Sequence, residues 1–280
     1  MSWHGSLNLD YRRDPHGNVP RTVVLDRHDG PLRVLASLYP EAPAVCHNVL
    51  VHPPGGIVGG DELAIDTRLA EGAHALVTTA GATRFYRSTG APAVQTLNAV
   101  LAADTRLEWL PLETIAYSGC IAQNRLRFTL APGAEMIGWD VLALGLPTSG
   151  QPFERGSFRQ SIELPGRWLE RGTIAAADTR LLDSPLGWAG QRVMGTLWFA
   201  AGATLHEPRR DALLDAARAV IEAHPLKTSA GATSPQDGVI VLRVLAPRVE
   251  PLMNLLARVW AEWRQVAWQM PPCTPRVWRT

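Results

Sequence analysis

The chain has almost no lysine: among 27 basic residues only Lys227 is one, and the others are arginines, whose planar fork suits protein interfaces. Charge of one sign is missing too. Twenty-six acidic residues leave a formal net charge of +1, so no field draws nucleic acid or an anionic membrane, and neither is expected as a partner. Cysteine is scarce. Cys46, Cys120 and Cys273 are odd in number and far apart, which excludes a disulfide framework and a zinc knuckle and fits a reducing compartment. No run approaches the ~20 apolar residues that span a bilayer, and Met1 to Asp14 lacks the apolar centre of a signal peptide. The expectation is a soluble cytoplasmic protein. HExxH, HxH, CxxC and GxSxG patterns are all absent.

What is present is a succession of short apolar or alternating runs cut by turn residues. Thr22 to Leu25, Leu32 to Leu38, Ala44 to Val51, Leu63 to Leu69, Ala73 to Thr79, Val94 to Leu101 and Leu126 to Leu130 are bounded by segments such as Glu71-Gly72 and Ala131-Pro132-Gly133. This pattern predicts an all-β body. Near the end, Leu213, Leu214, Ala217, Val220 and Ile221 recur at helical spacing after Pro208. Leu252, Leu255, Leu256, Val259, Trp260, Trp263, Val266 and Ala267 then form one apolar stripe. A strand, Val239 to Leu245, separates the two, and the Gly/Ser/Thr-rich stretch 227–238 reads as a mobile loop. The expected fold is mainly β: a single β-rich domain (residues 1–280) of many short strands with two C-terminal α-helices. Its β-rich body covers about 19–201 and its helix-containing part about 206–270. No internal repeat of fixed length is visible.

The densest stretch is His52-Pro53-Pro54-Gly55-Gly56-Ile57-Val58-Gly59-Gly60-Asp61. Asp61 and Glu62 follow the last glycine where a phosphate loop needs Lys and Ser or Thr, and the glycines miss the dinucleotide spacing, so no nucleotide cradle is expected. Two tight bends around a short buried strand are expected instead, with positive φ or close approach at some glycines. Asp61 and Glu62 point to opposite sides if they begin a strand, and His47 and His52 fall on opposite faces of another. Asp140 is a further carboxylate inside an apolar run, where it needs pairing or a cation. Turn carboxylates bonded to backbone amides remain the alternative for these acids. Cys120 reads as a small buried hydrophobe. Glu108 and Glu113 flank Trp109-Leu110-Pro111, and with ten tryptophans they keep a carboxylate-pair glycoside hydrolase of β-rich fold as a second reading.

The glycine-rich stretch resembles the characteristic motif of the urease accessory protein UreD (UreH) family. Thr78 to Ser88 is similar to that family's second motif, Glu108 to Ile115 to its third, and Pro275 to Thr280 to its terminus, in the family's order. Ala80, Arg84 and Leu112 depart from the pattern without removing a carboxylate. The resemblance implies a non-enzymatic scaffold or chaperone that links UreF and UreG to apo-urease, with nickel in transit and no tightly bound cofactor. It makes Asp61, Glu62 and Asp140 candidates for a transient nickel path. His52, Pro53, Pro54, Gly55, Gly56, Gly59 and Gly60 become a structural corner, and Arg84, Tyr86, Arg87 and Trp278 candidate interface residues.

Overall fold

Leu7, Leu9 and Tyr11 alternate with Asn8 and Asp10, and this period of two makes His4–Asp14 a strand, β1, with one buried face. The β-rich body therefore starts ahead of residue 19. The computed structural model describes residues 2–14 and 19–279. β1 pairs antiparallel with β2 (Arg21–Asp29), and β3 (Arg33–Leu38) with β4 (Val45–Val51).

From β4 the chain passes back and forth between two sheets. β5 (Glu62–Leu69) joins the first; β6 (His74–Thr79) and the short β7 (Thr83–Phe85) join the second. β8 (Ala93–Leu101) returns to the first, β9 (Arg106–Trp109) and β10 (Thr114–Ala116) to the second. β11 (Cys120–Leu130), then β12 (Glu135–Leu146) with β13 (Gln151–Pro152), then β14 (Gly156–Leu164) continue the alternation. Each return lies parallel to the strand before it, so β4, β6, β9 and β12 run side by side in one sheet. In the other, β1, β5, β8, β11 and β14 do the same. Parallel neighbours require a crossover. Here the crossover is a strand of the opposite sheet, and the path is a coil of stacked turns.

The coil has a repeat that residue identity hides. Val45 pairs with His74, His74 with Arg106 and Arg106 with Glu135, at intervals of 29, 32 and 29 residues. One corner recurs as Ala70-Glu71-Gly72-Ala73, Ala102-Ala103-Asp104-Thr105 and Ala131-Pro132-Gly133-Ala134, with the third residue at φ 71, 55 and 84°. These corners stack: a Cβ on Gly133 would stand 2.6 Å from Asp104 Oδ1. The intervals vary, so this structural repeat coexists with a sequence that shows none of fixed length. Strands need only alternate, so identity persists at the bends alone.

After β15 (Trp168–Ala175) and a short helix α1 (Thr179–Asp183), β16 (Val193–Ala201) extends the second sheet. Then come α2 (Glu207–Glu222), β17 (Ala230–Gln236), β18 (Val239–Ala246) and α3 (Val249–Trp268). β17 corrects the loop expected over 227–238: an edge strand needs one good partner, and β18 supplies it despite a strand-poor composition. One core fills the space between the sheets, and a second lies between the second sheet and the helices. β12, β16 and β18 are therefore buried on both faces and read as continuous apolar runs, whereas β1, β5 and β11 alternate. The apolar stripe of α3 packs into the second core, with Trp263 Nε1 donating to Leu213 O at 2.9 Å.

Arg264 crosses that core wholly buried. Its guanidinium reaches Glu41 at 2.6 Å, Glu108 at 3.3 Å and the Pro271 carbonyl at 2.8 Å. His47 pairs with Glu41, while His74 and Trp260 Nε1 hold Glu108 at 2.8 and 2.6 Å. This network ties α3 to β6, β9 and the loop before β4.

Candidate functional site: a glycine corner over an acid-lined cavity

The glycines of His52 to Asp61 divide into two kinds. Gly55 and Gly60 have φ of 74 and 95°, a region that favours glycine. Gly56 and Gly59 are there for space: a Cβ would stand 2.0 Å from the Tyr86 ring at Gly56 and 2.2 Å from Ser88 Oγ at Gly59. Between the bends Ile57 is stitched to the second motif, donating to Arg84 O at 2.7 Å and accepting from Tyr86 N at 2.9 Å. The two expected bends are thus present, but the buried strand between them shrinks to a single bridge at Ile57, and Val58 is exposed. Gly59→Ala is expected to cost about 2–3 kcal/mol, because the Ala91 carbonyl, 2.7 Å from the added methyl, belongs to the backbone and yields little. Gly81→Ala, with nothing within 4 Å, should stay within about 0.5 kcal/mol of the unsubstituted protein in urea unfolding. Equal losses would refute this account of the corner.

Asp61 and Glu62 do point apart. Asp61 is buried in the bend, accepting from Val58 N at 3.0 Å and Trp3 N at 2.8 Å, as a turn-stabilising carboxylate does. Glu62 faces solvent, with His4 at 3.6 Å. Asp140 is placed differently. Along β12 its odd-numbered neighbours Trp139 and Val141 face the helices, and Asp140 turns into the space between the sheets. There it lines a cavity of about 250 Å³ together with His52, Gly55, Gly56, Arg84 and Trp109. Burial pushes its carboxyl up to about 7, although the Gln160 and Asn124 amides and the Arg243 guanidinium pull the other way. Asn124 Nδ2 donates to Asp140 Oδ1 at 3.2 Å. Burial also lowers the pKa of His52, which Asp61 partly offsets. His47, on β4, pairs with Glu41 under the helices, whereas His52, just past the end of that strand, lines the cavity, so the two point apart as their spacing implied. Among the described residues no cluster of three or more His, Cys, Asp and Glu stands close enough to hold a metal ion.

The remaining candidates separate. Arg84 and Arg87 are exposed, and Tyr86 leans over Gly56 with its ring 4.9 Å from Tyr117. Pro53 and Pro54 are exposed at the first bend. Trp278 packs within its own chain, 5.0 Å from Trp139 and 5.5 Å from Trp260, and donates to Thr78 Oγ1 at 2.9 Å. The cleft of a carboxylate-pair hydrolase is not formed: Glu108 is sealed under α3 in its ion pairs and does not line the cavity. Cys120 is buried, and its thiol is pushed up to about 12 by that burial, so it is no nucleophile. Sequence reasoning missed Gln95, Asn124 and Gln160, which only the strand register brings together.

Residues 4–279 match the family described as UreD urease accessory protein. The chain belongs to that family. Curated relatives named urease accessory protein UreD are 62% identical in Leptothrix cholodnii, over 280 residues and the whole of both chains, and 62% identical in Paracidovorax citrulli, over 278 residues and 99% of each. The relative in Variovorax paradoxus is 59% identical over 280 residues, again the whole of both chains. UreD membership makes this an accessory protein of urease rather than an enzyme, and the glycoside hydrolase reading falls. No helix among the described residues is long and apolar enough to cross a membrane.

Proposed function

We propose that the chain is a cytoplasmic scaffold and chaperone of urease maturation. It links UreF and UreG to apo-urease, and nickel passes through it as cargo on the way to the urease active site. The observation that carries the reading is Asp140: a carboxyl that lines a cavity with His52 and Arg84, held by the Asn124 amide and not by a direct ion pair that would make it purely structural. A lone oxygen ligand holds a divalent ion loosely, as transit requires. Within this reading Asp140 meets the ion, Asp61 keeps the corner's shape and Glu62 supplies solvent-facing charge.

The test is reconstitution from purified apo-urease, UreF, UreG, GTP and nickel, with and without this chain. Urease activity is expected only when the chain is present, and the chain should co-elute with UreF. Full activation without it, or no association with UreF, would remove the proposal.

A further inference from the structure

Three side-chain amides, on β8, β11 and β14, stand in one row. Asn124 on β11 is in register with Gln95 on β8 and with Gln160 on β14. Gln95 Nε2 donates to Asn124 Oδ1 at 3.3 Å, and Asn124 Nδ2 donates to Gln160 Oε1 at 3.4 Å as well as to Asp140 Oδ1 at 3.2 Å. Asn124 and Gln160 are 2% and 4% exposed. On either side the rows of the same three strands are apolar: Ala93, Ala122 and Phe158 precede, and Leu97, Leu126 and Ile162 follow. Only the row that meets Asp140 is polar. Leucines there would add apolar burial, and buried amides gain stability only where their hydrogen bonds are made. Gln160 Nε2 makes no hydrogen bond of good geometry, yet its amide favours the charged form of Asp140, so it too is turned to that carboxyl rather than to a partner in the row.

We infer that Gln95, Asn124 and Gln160 form a positioning row for Asp140, with Asn124 as the rung that holds its carboxylate oriented in the cavity. The inference rests on the proposed role of Asp140 in nickel transit. Neutral amides suit this task because they fix a carboxylate without adding charge to a cavity whose rim already carries Arg84. Gln95 acts one step removed, by fixing the Asn124 carbonyl.

The test is the reconstituted maturation reaction titrated with nickel, using Asn124→Leu, Gln95→Leu and Asp140→Asn, each checked for UreF association. Asn124→Leu is expected to raise the nickel needed for half-maximal activation by about tenfold or more, the usual penalty for losing the partner of a metal-meeting group, while the plateau is kept. Gln95→Leu should shift it the same way by less. A merely structural loss would lower the plateau and leave the nickel requirement alone. If Asp140→Asn is defective while the nickel requirement of Asn124→Leu is unchanged, the positioning row is refuted. Should Asn124→Leu fail to fold, an unchanged requirement in Gln95→Leu refutes it equally. Full activation by Asp140→Asn would instead bring down the transit reading itself.

Discussion

Asparagine in place of Asp140 is expected to give a protein that is more stable at pH 8 and unable to support normal urease maturation. The carboxyl titrates at about 7 in the folded chain against 3.8 for the free group, because burial disfavours its charge. The folded state therefore holds the proton over a pH range in which the unfolded chain has released it. Stability falls as pH rises from about 4 to about 7, and the loss is complete above that. A shift of this size corresponds to on the order of 4 kcal/mol. Asparagine carries no charge and keeps an oxygen for the Asn124 amide, so it escapes the penalty. Urea unfolding of both proteins at pH 8 should show the variant ahead by a large part of that figure, and at pH 5.5 by roughly half of it. A difference that does not change with pH would refute the assignment. Stability given up at one carboxyl, with function lost when it is restored, is the trade expected of a group kept for a task.

The second large effect is expected at Arg264. Alanine there removes the cation between Glu41 and Glu108, both of which lie under α3. Burial alone would raise the pKa of Glu41, yet hydrogen bonds from His47 and Arg264 reverse this and hold it below the usual carboxylate range. Glu108 is fully enclosed and keeps only His74 and Trp260 once the guanidinium is gone. Breaking a buried pair by removing one partner costs about 3–5 kcal/mol, more than the pair itself contributes. Replacing Arg264 with Met and both glutamates with Gln should recover most of the loss, since no uncompensated charge is left. Chemical unfolding of the single and triple variants is the measurement. A single variant within about 1 kcal/mol of the unsubstituted protein would show that solvent reaches the network. The Pro271 carbonyl also loses its side-chain tie to α3, although Trp278 still packs on Trp260, so protease sensitivity near residue 271 should rise in the single variant.

Several features are legible in the residues alone. Leu213 to Ile221 and Leu252 to Ala267 announce helices because a buried stripe at helical spacing has one packing solution, and α2 and α3 follow it closely. The glycines of the corner announce bends because positive φ and vanishing Cβ space are local demands, met at Gly55, Gly60, Gly56 and Gly59. Opposite directions for Asp61 and Glu62, and for His47 and His52, follow from the strand period alone. β1 is equally legible in Leu7, Leu9 and Tyr11, although it lies ahead of the first run bounded by turn residues. Asp61 and Trp278 are different. Nothing local says that one carboxylate accepts from Trp3 N, or that a terminal indole folds back onto Trp139 and Trp260.

By itself the sequence determined the kind of most elements, β17 excepted, with the faces they bury, the bends and the family to which the chain belongs, since these are written in neighbouring residues or in ordered motifs. Only the tertiary structure decided that the strands run parallel in a two-sheet coil, that Asp140 meets a row of amides, and that Glu108 is locked under a helix. The reason is distance along the chain. A period of two tells which face a side chain takes, but which strand lies beside it is decided across intervals of 29 or 32 residues, by packing that no local pattern records.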